Sequence, residues 1–207
     1  AAFISFSSGL MVLIVISLLN SKVRTGVGNL KRALKNGHLP WWQVPAGVLG
    51  GTFVAFQTHV VPLIGVAIYS VASIAGQTGI SLFVDRIGLT GGGKKPISKR
   101  RAAAAIVTVA AVLVSVLDKL DVSTFSIVAV LFSLGAGALV GVQRALNGQI
   151  NEHTKQSYAT SLLNFITGTT TLAIYWSLNI LFWHGTVNAL PGWNILLYTG
   201  GTIGVIY

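Results

Sequence analysis

The sequence predicts an all-α membrane protein, a polytopic helical bundle of inverted five-helix repeats, and three observations predict it. Charged residues are only 9% of the 207 and hydrophobic residues are 53%, whereas an ordinary soluble domain carries about 25% charged residues. Long stretches free of Asp, Glu, Lys and Arg recur along the chain. Parts of the first half also reappear, in the same order, in the second.

A spanning helix needs about 20 mostly apolar residues. Ala1 to Ser21 supplies one span. Asn36 to Val84 is long enough for two, with a turn expected at His59-Val60-Val61-Pro62. Ala102 to Leu117 supplies a short span, which Arg100 and Arg101 extend by reaching to the interface. Val122 to Gln143 supplies another, with its last turn near Arg144 to Asn147. Gln156 to Tyr207 holds two more, divided near Trp183-His184-Gly185 and Leu190-Pro191-Gly192. About seven spans are therefore expected, the last incomplete. Backbone groups in lipid have no water partner, so the choice is helix or closed barrel. The runs lack the alternation of barrel strands.

The connecting segments set the expected orientation. The first holds Lys22, Arg24, Lys31, Arg32 and Lys35; the third holds Arg86, Lys94, Lys95, Lys99, Arg100 and Arg101; the fifth holds Arg144 and Lys155. Only Lys119 falls in an even-numbered loop. The excess marks the odd loops as cytoplasmic, in a multi-pass protein of the inner (plasma) membrane. Trp41, Trp42, Trp183 and Trp193 lie near span ends, as an aromatic belt requires.

The stretch from Ala1 to Gly9 aligns with Thr160 to Gly168, pairing Phe6 with Phe165 and Gly9 with Gly168. Leu39-Pro40-Trp41-Trp42 resembles Leu190-Pro191-Gly192-Trp193, and Gly50-Gly51-Thr52 resembles Gly200-Gly201-Thr202. The repeated unit is five spans long. Five is odd, so the second copy lies inverted, an arrangement recurrent in secondary transporters. Residues 1–121 are expected to be spans two to five of the first repeat. Residues 122–207 are expected to be spans one to three of the second, within a complete protein of ten.

Polar side chains inside the spans are costly unless partnered or facing water. Gln77, Gln143, Asn147 and Asn164 are the candidates for contact with a substrate. Gln143 and Asn147 are four apart and share one helix face. The plainer alternative for each is a hydrogen bond between helices, worth about 0.6 kcal/mol. Asp85 and Glu152 sit at cytoplasmic span ends and are candidates for gating by pairing with Arg86, Arg144 or Lys155; solvated interfacial charge is the alternative. His59, at the expected periplasmic turn, is a candidate for coupling, with an exposed turn histidine as the alternative.

Other chemistry has no visible apparatus. Cysteine is absent, which excludes disulfides and thiolate metal sites in this chain. The spans show no Ser/His/Asp set, metal cluster or carboxylate pair, so no catalytic residue, metal or cofactor is expected. Gly91-Gly92-Gly93-Lys94-Lys95 lacks the spacing and the hydroxyl residue of a phosphate loop. The net charge of +10 lies in short segments between apolar runs, so nucleic acid is not an expected partner. The expected partners are a small-molecule substrate and the bilayer, with a homodimer as a further expectation.

Several patterns combine. Ala75-Gly76-Gln77-Thr78 leads through Ser81-Leu82-Phe83-Val84-Asp85 to Gly88-Leu89 and Lys95-Pro96-Ile97-Ser98, while Gly141-Val142-Gln143-Arg144-Ala145-Leu146-Asn147 leads toward Phe165 and Gly168. Together these resemble the YdcZ-like branch of the drug/metabolite transporter superfamily, inner-membrane exporters of bacteria that occur in five-span and fused ten-span forms. The resemblance implies a fragment of a fused form. It departs from the small multidrug exporters of that superfamily, which carry a glutamate in the first span of each unit; Val122 to Asn147 has no acid. The implied function is a secondary transporter exporting small metabolites or drugs by alternating access. A channel and a non-transporting membrane assembly partner are the alternatives.

Overall fold

The computed structural model describes residues 2–90, 93–114, 127–183 and 200–206. They form seven α-helices and one short 3-10 turn at Trp41–Gln43. The helices are α1 (Ala2–Leu19), α2 (Ser21–Lys35), α3 (Ala46–Ile87), α4 (Lys99–Val114), α5 (Ile127–Thr154), α6 (Ser157–Trp183) and α7 (Gly200–Ile206). Among the described residues, four stretches are long and apolar enough to cross a membrane: Ala2–Leu19, Trp41–Ile87, Ile127–Thr154 and Ser157–Phe182. The protein is an all-α membrane bundle. The expected boundary at 121/122 and the expected turn at residues 184–192 lie outside the described residues, as do Lys119 and Trp193.

Three segments differ from the sequence reading. The first connection is itself a helix, α2. Val23, Gly26, Leu30 and Ala33 recur at helical spacing and are buried, while its five Lys and Arg residues are exposed. The segment is too polar to count as a span, yet its period is that of an amphipathic helix. Asn20 caps its start by accepting from the Lys22 amide at 2.9 Å. Gly37, at φ 70°, ends it: the amides of Gly37 and His38 donate back to the carbonyls of Leu34 and Ala33.

The second difference lies in α3. The chain does not turn at His59–Pro62; helix continues through Pro62, and the break falls at Gly65, with φ 76° and ψ 160°. That backbone region is essentially restricted to glycine. A straight helix would separate positions 53 and 69 by about 24 Å, but the rings of Phe53 and Tyr69 lie 5.9 Å apart. Segments 46–64 and 66–87 therefore meet at an angle. His59 sits in the last turns of the first segment, exposed, with Nδ1 2.8 Å from the Ala55 carbonyl. Thirdly, α5 does not end near Arg144–Asn147. It runs to Thr154, and only Lys155 and Gln156 separate it from α6. Lys155 takes the left-handed conformation (φ 54°) there. Thr154, 1% exposed, holds that corner through Thr160 Oγ1 at 3.1 Å and the Gln156 carbonyl at 3.2 Å.

The chain forms two compact units, Ala1–Thr52 with Ile150–Tyr207, and Phe53–Gln149. In the first, α1 packs on both α6 and α7. Its contacts are reciprocal. A Cβ on Gly9 would strike the Phe165 ring, and one on Gly168 would strike the Phe6 ring; the two rings pack together at 5.3 Å. A Cβ on Gly47 would strike the Asn164 carbonyl and the Thr167 hydroxyl, and one on Gly201 the Ser5 carbonyl and the Ser8 hydroxyl. Exchanging Phe6 with Phe165 and Gly9 with Gly168 also exchanges Ser5 with Asn164 and Ser8 with Thr167. In these contacts Gly201 answers to Gly47, one helical turn before the Gly50-Gly51 pair that sequence similarity selects.

In the second unit, the 66–87 segment of α3 crosses α5 at similarly close range. A Cβ on Gly76 would meet the Leu134 carbonyl, and one on Gly137 the Ser73 carbonyl.

The glycines divide into those that permit a crossing and those that face open space. Gly47→Ala meets backbone atoms that cannot move aside and should destabilise the protein by about 1–3 kcal/mol. Gly28 in α2 has nothing within 4 Å of its missing Cβ, so Gly28→Ala should be neutral or stabilising, by up to about 1 kcal/mol. Thermal unfolding in detergent, followed by the loss of the monodisperse peak, should rank Gly28→Ala at or above wild type and Gly47→Ala below it. The reverse ranking would refute the assignment of the tight crossing.

Candidate solute-binding cavity

The polar residues of α3 fall on one stripe. Gln77, Ser81 and Asp85 are spaced four apart, so successive turns bring them to the same face of the helix. Facing them on α5 are Gly141, Arg144 and Ala145, which also share a face. Gly141 sets the distance between the helices: a Cβ there would strike the Ile80 side chain and come within 3.2 Å of the Gln77 carbonyl. Between the two stripes lies a cavity of about 220 Å3, lined by Gln77, Ser81, Val84, Asp85, Thr90, Gly141, Arg144 and Ala145.

The end of α3 brings Thr90 to the lining of this cavity. Gly88 adopts φ 79°, a conformation glycine takes without strain. The amides of Gly88 and Leu89 donate back to the carbonyls of Asp85 (3.2 Å) and Val84 (3.0 Å). This glycine-terminated helix end folds residues 88–90 over the cavity. The Lys95 amide donates to the Asp85 carbonyl at 2.9 Å, and the Gln149 carboxamide of α5 donates to the Leu89 carbonyl at 2.5 Å. Thr90 is thereby held with its Oγ1 buried and without a hydrogen-bond partner among the described residues.

The charges are distributed unevenly. Arg101, in the first turn of α4, donates to the Asp85 carboxylate. The expected partners of Asp85 were Arg86, Arg144 and Lys155, and the structure supplies a different arginine. The Asp85 side chain is 15% exposed and that of Arg101 36%, a geometry less screened than a fully exposed pair. Arg144 makes no hydrogen bond or ion pair with a described residue. Gln77 donates through Nε2 to Ser73 Oγ at 3.2 Å, and Ser81 Oγ donates to the Thr78 carbonyl at 2.7 Å.

Of the four residues selected by sequence for substrate contact, the cavity contains Gln77 alone. Gln143 and Asn147 lie on the α5 face away from Gly141, Arg144 and Ala145 by helical spacing, and each is engaged by another group. Asn164 belongs to the other compact unit and donates to the Thr160 carbonyl at 3.0 Å. Among the three gating or coupling candidates, only Asp85 lines the cavity. Glu152 is exposed in the last turn of α5 and has no ion pair with a described residue, and His59 lies on the far side of the Gly65 break. Sequence reasoning passed over Ser81, Thr90 and Arg144 as site residues. The i, i+4, i+8 spacing of Gln77, Ser81 and Asp85 was the signal that could have found the stripe.

A larger cavity of about 500 Å3 lies between α3 and α4, walled by residues such as Ala75, Leu82, Ile106 and Val109. It contains no titratable side chain, and Thr78 is the one hydroxyl in an otherwise apolar lining. No group of three or more His, Asp or Glu side chains suited to a metal ion occurs among the described residues.

The family model described as "Putative inner membrane exporter, YdcZ" matches residues 1–114 and 128–207. The chain belongs to the YdcZ family. It is a multi-pass protein of the inner membrane, in a family described as inner-membrane exporters. No curated protein and no solved structure matches the chain. The match covers the stretch from Gly76 to Ser98 that carries the resemblance and every residue that lines the cavity.

Because the chain has no cysteine, accessibility can be read without background. Ser81→Cys should react readily with a small, charged thiol reagent through the cavity, whereas Ala72→Cys, 5% exposed on the packed part of α3, should stay unmodified. Equal labelling of the two would contradict the cavity.

Proposed function

We propose that this chain is part of a secondary transporter that exports a small solute by alternating access between two inverted five-helix repeats, and that the α3–α5 cavity is a solute site. Membership of an exporter family supports the direction and the process. The reciprocal contacts of α1 with α7, and of α6 with the start of α3, support the inverted repeat: each is the other with Phe6 and Phe165, Gly9 and Gly168 exchanged. One observation carries the site. In a chain that is 9% charged, a carboxylate, a guanidinium, a carboxamide and two hydroxyls converge on one cavity of about 220 Å3. Polar groups at membrane depth are retained where they line a pathway.

In this reading Gln77 contacts solute, and the Asp85–Arg101 pair ties the end of α3 to the start of α4 and opens when the cavity changes sides. The exposed basic face of α2, the segment around Lys94 and Lys95, and the Lys155 corner face the cytoplasm by the positive-inside rule.

Transport is tested in proteoliposomes of the complete protein, by currents on a solid-supported membrane and by counterflow of labelled solutes. Saturable uptake of one solute class, reduced at least tenfold in Gln77→Leu, is expected. Currents that rise linearly with concentration would indicate a channel, and a folded protein passing no solute would leave the assembly role. For orientation, Gly93→Cys should be labelled by an impermeant reagent in inside-out vesicles and protected in right-side-out ones.

A further inference from the structure

The cavity is not electrically neutral. Asp85 is already paired with Arg101, so this acid and this base cancel. Arg144 remains as a cation on the cavity wall with no ion pair among the described residues. The neutral groups permit that sign. Thr90 Oγ1 is buried and unpartnered, and its hydroxyl hydrogen is free to donate. A cation in this space would meet an uncompensated guanidinium and a carboxylate already engaged; an anion would meet donors. Arg144 is exposed, so its pull on an anion is partly screened by solvent.

Size and shape narrow the class. A volume of about 220 Å3 corresponds to roughly seven waters at liquid density, room for a solute of fewer than about ten non-hydrogen atoms. Val84, Gly141 and Ala145 form an apolar wall beside the polar stripe. A planar carboxylate suits the guanidinium fork, which grips two oxygens at once.

We infer that the cavity binds a small organic carboxylate, its carboxylate held by Arg144 and Thr90 and its carbon chain laid against Val84 and Ala145. The inference rests on the cavity being a solute site and adds the class of solute. It also accounts for the want of an acid between Val122 and Asn147: a site for anions needs no carboxylate to hold its cargo.

The experiment uses the complete protein in phosphatidylcholine liposomes, with labelled lactate and benzoate as probes and inorganic phosphate, a neutral sugar and a quaternary ammonium ion as comparisons. Lactate or benzoate should bind saturably. Arg144→Gln should weaken that binding about ten- to hundredfold, as expected for loss of charge-assisted hydrogen bonds. Arg144→Lys keeps the charge and loses the fork, so it should fall between, with an unchanged thermal transition as evidence of folding. Lys31→Gln, which removes one charge from the exposed face of α2, should bind as wild type does. Saturable transport of the ammonium ion or the sugar alone, indifferent to Arg144→Gln, would overturn the anion class and leave the transporter reading standing. No saturable transport of any probe would overturn both. Loss of carboxylate binding on adding phosphatidylglycerol, or phosphate binding as tightly as lactate, would overturn the carboxylate assignment by giving Arg144 to a phosphate group instead.

Discussion

Helices in a bilayer are not driven together by the hydrophobic effect, since lipid tails are as apolar as the side chains they would replace. Association must come from close packing and from hydrogen bonds between helices, and both need the backbones to approach. The glycines that meet a carbonyl across a crossing carry that requirement here: Gly47 and Gly201 in one compact unit, Gly76 and Gly137 in the other. A methyl group at any of them would occupy space already held by backbone atoms. Backbone shifts less readily than a flexible side chain, so Gly76 and Gly137 set the spacing of the two helices that hold the cavity.

The same constraint shapes the cavity. Gly141 brings α3 and α5 close enough for their polar stripes to face each other, and the Gly88 turn returns Thr90 to the space between them. Each device is small, but the polar groups would be costly facing hydrocarbon without a shared volume. The Asp85–Arg101 pair belongs to this design. It neutralises an acid at the end of α3 and joins α4 to it, while the guanidinium of Arg144 stays unengaged by described residues.

Much of the architecture was legible in one dimension. Long uncharged runs named the spans of α1, α3, α5 and α6. The Phe6/Gly9 and Phe165/Gly168 match named a repeat whose members then proved to touch each other. Errors arose where a rule based on charge met a helix that ignores charge. α2 was hidden by its five basic residues, though Val23, Gly26, Leu30 and Ala33 kept the helical period. α5 passes through Arg144 and Asn147 to Thr154, because a polar side chain does not by itself end a helix. Pro62 suggested a turn, yet the chain broke at Gly65, whose backbone angles only glycine holds without strain. The site was harder to read: Gln77 and Asp85 were visible as polar exceptions in apolar runs, whereas Ser81 and Thr90 are unremarkable in sequence.

Composition and period determined that this protein is a membrane bundle of apolar helices, because lipid leaves the backbone no other way to satisfy its hydrogen bonds. Sequence also determined which helices carry polar residues and on which face, because the helical repeat is fixed. Which polar faces meet was decided by tertiary structure alone. Gln143 and Asn147 make as good a stripe as Gln77, Ser81 and Asp85, and one turn of α5 by half a revolution would have placed them in the cavity in place of Arg144. That rotation is set by where Gly137 and Gly141 seat against α3, a contact between residues more than fifty positions apart that no local pattern encodes.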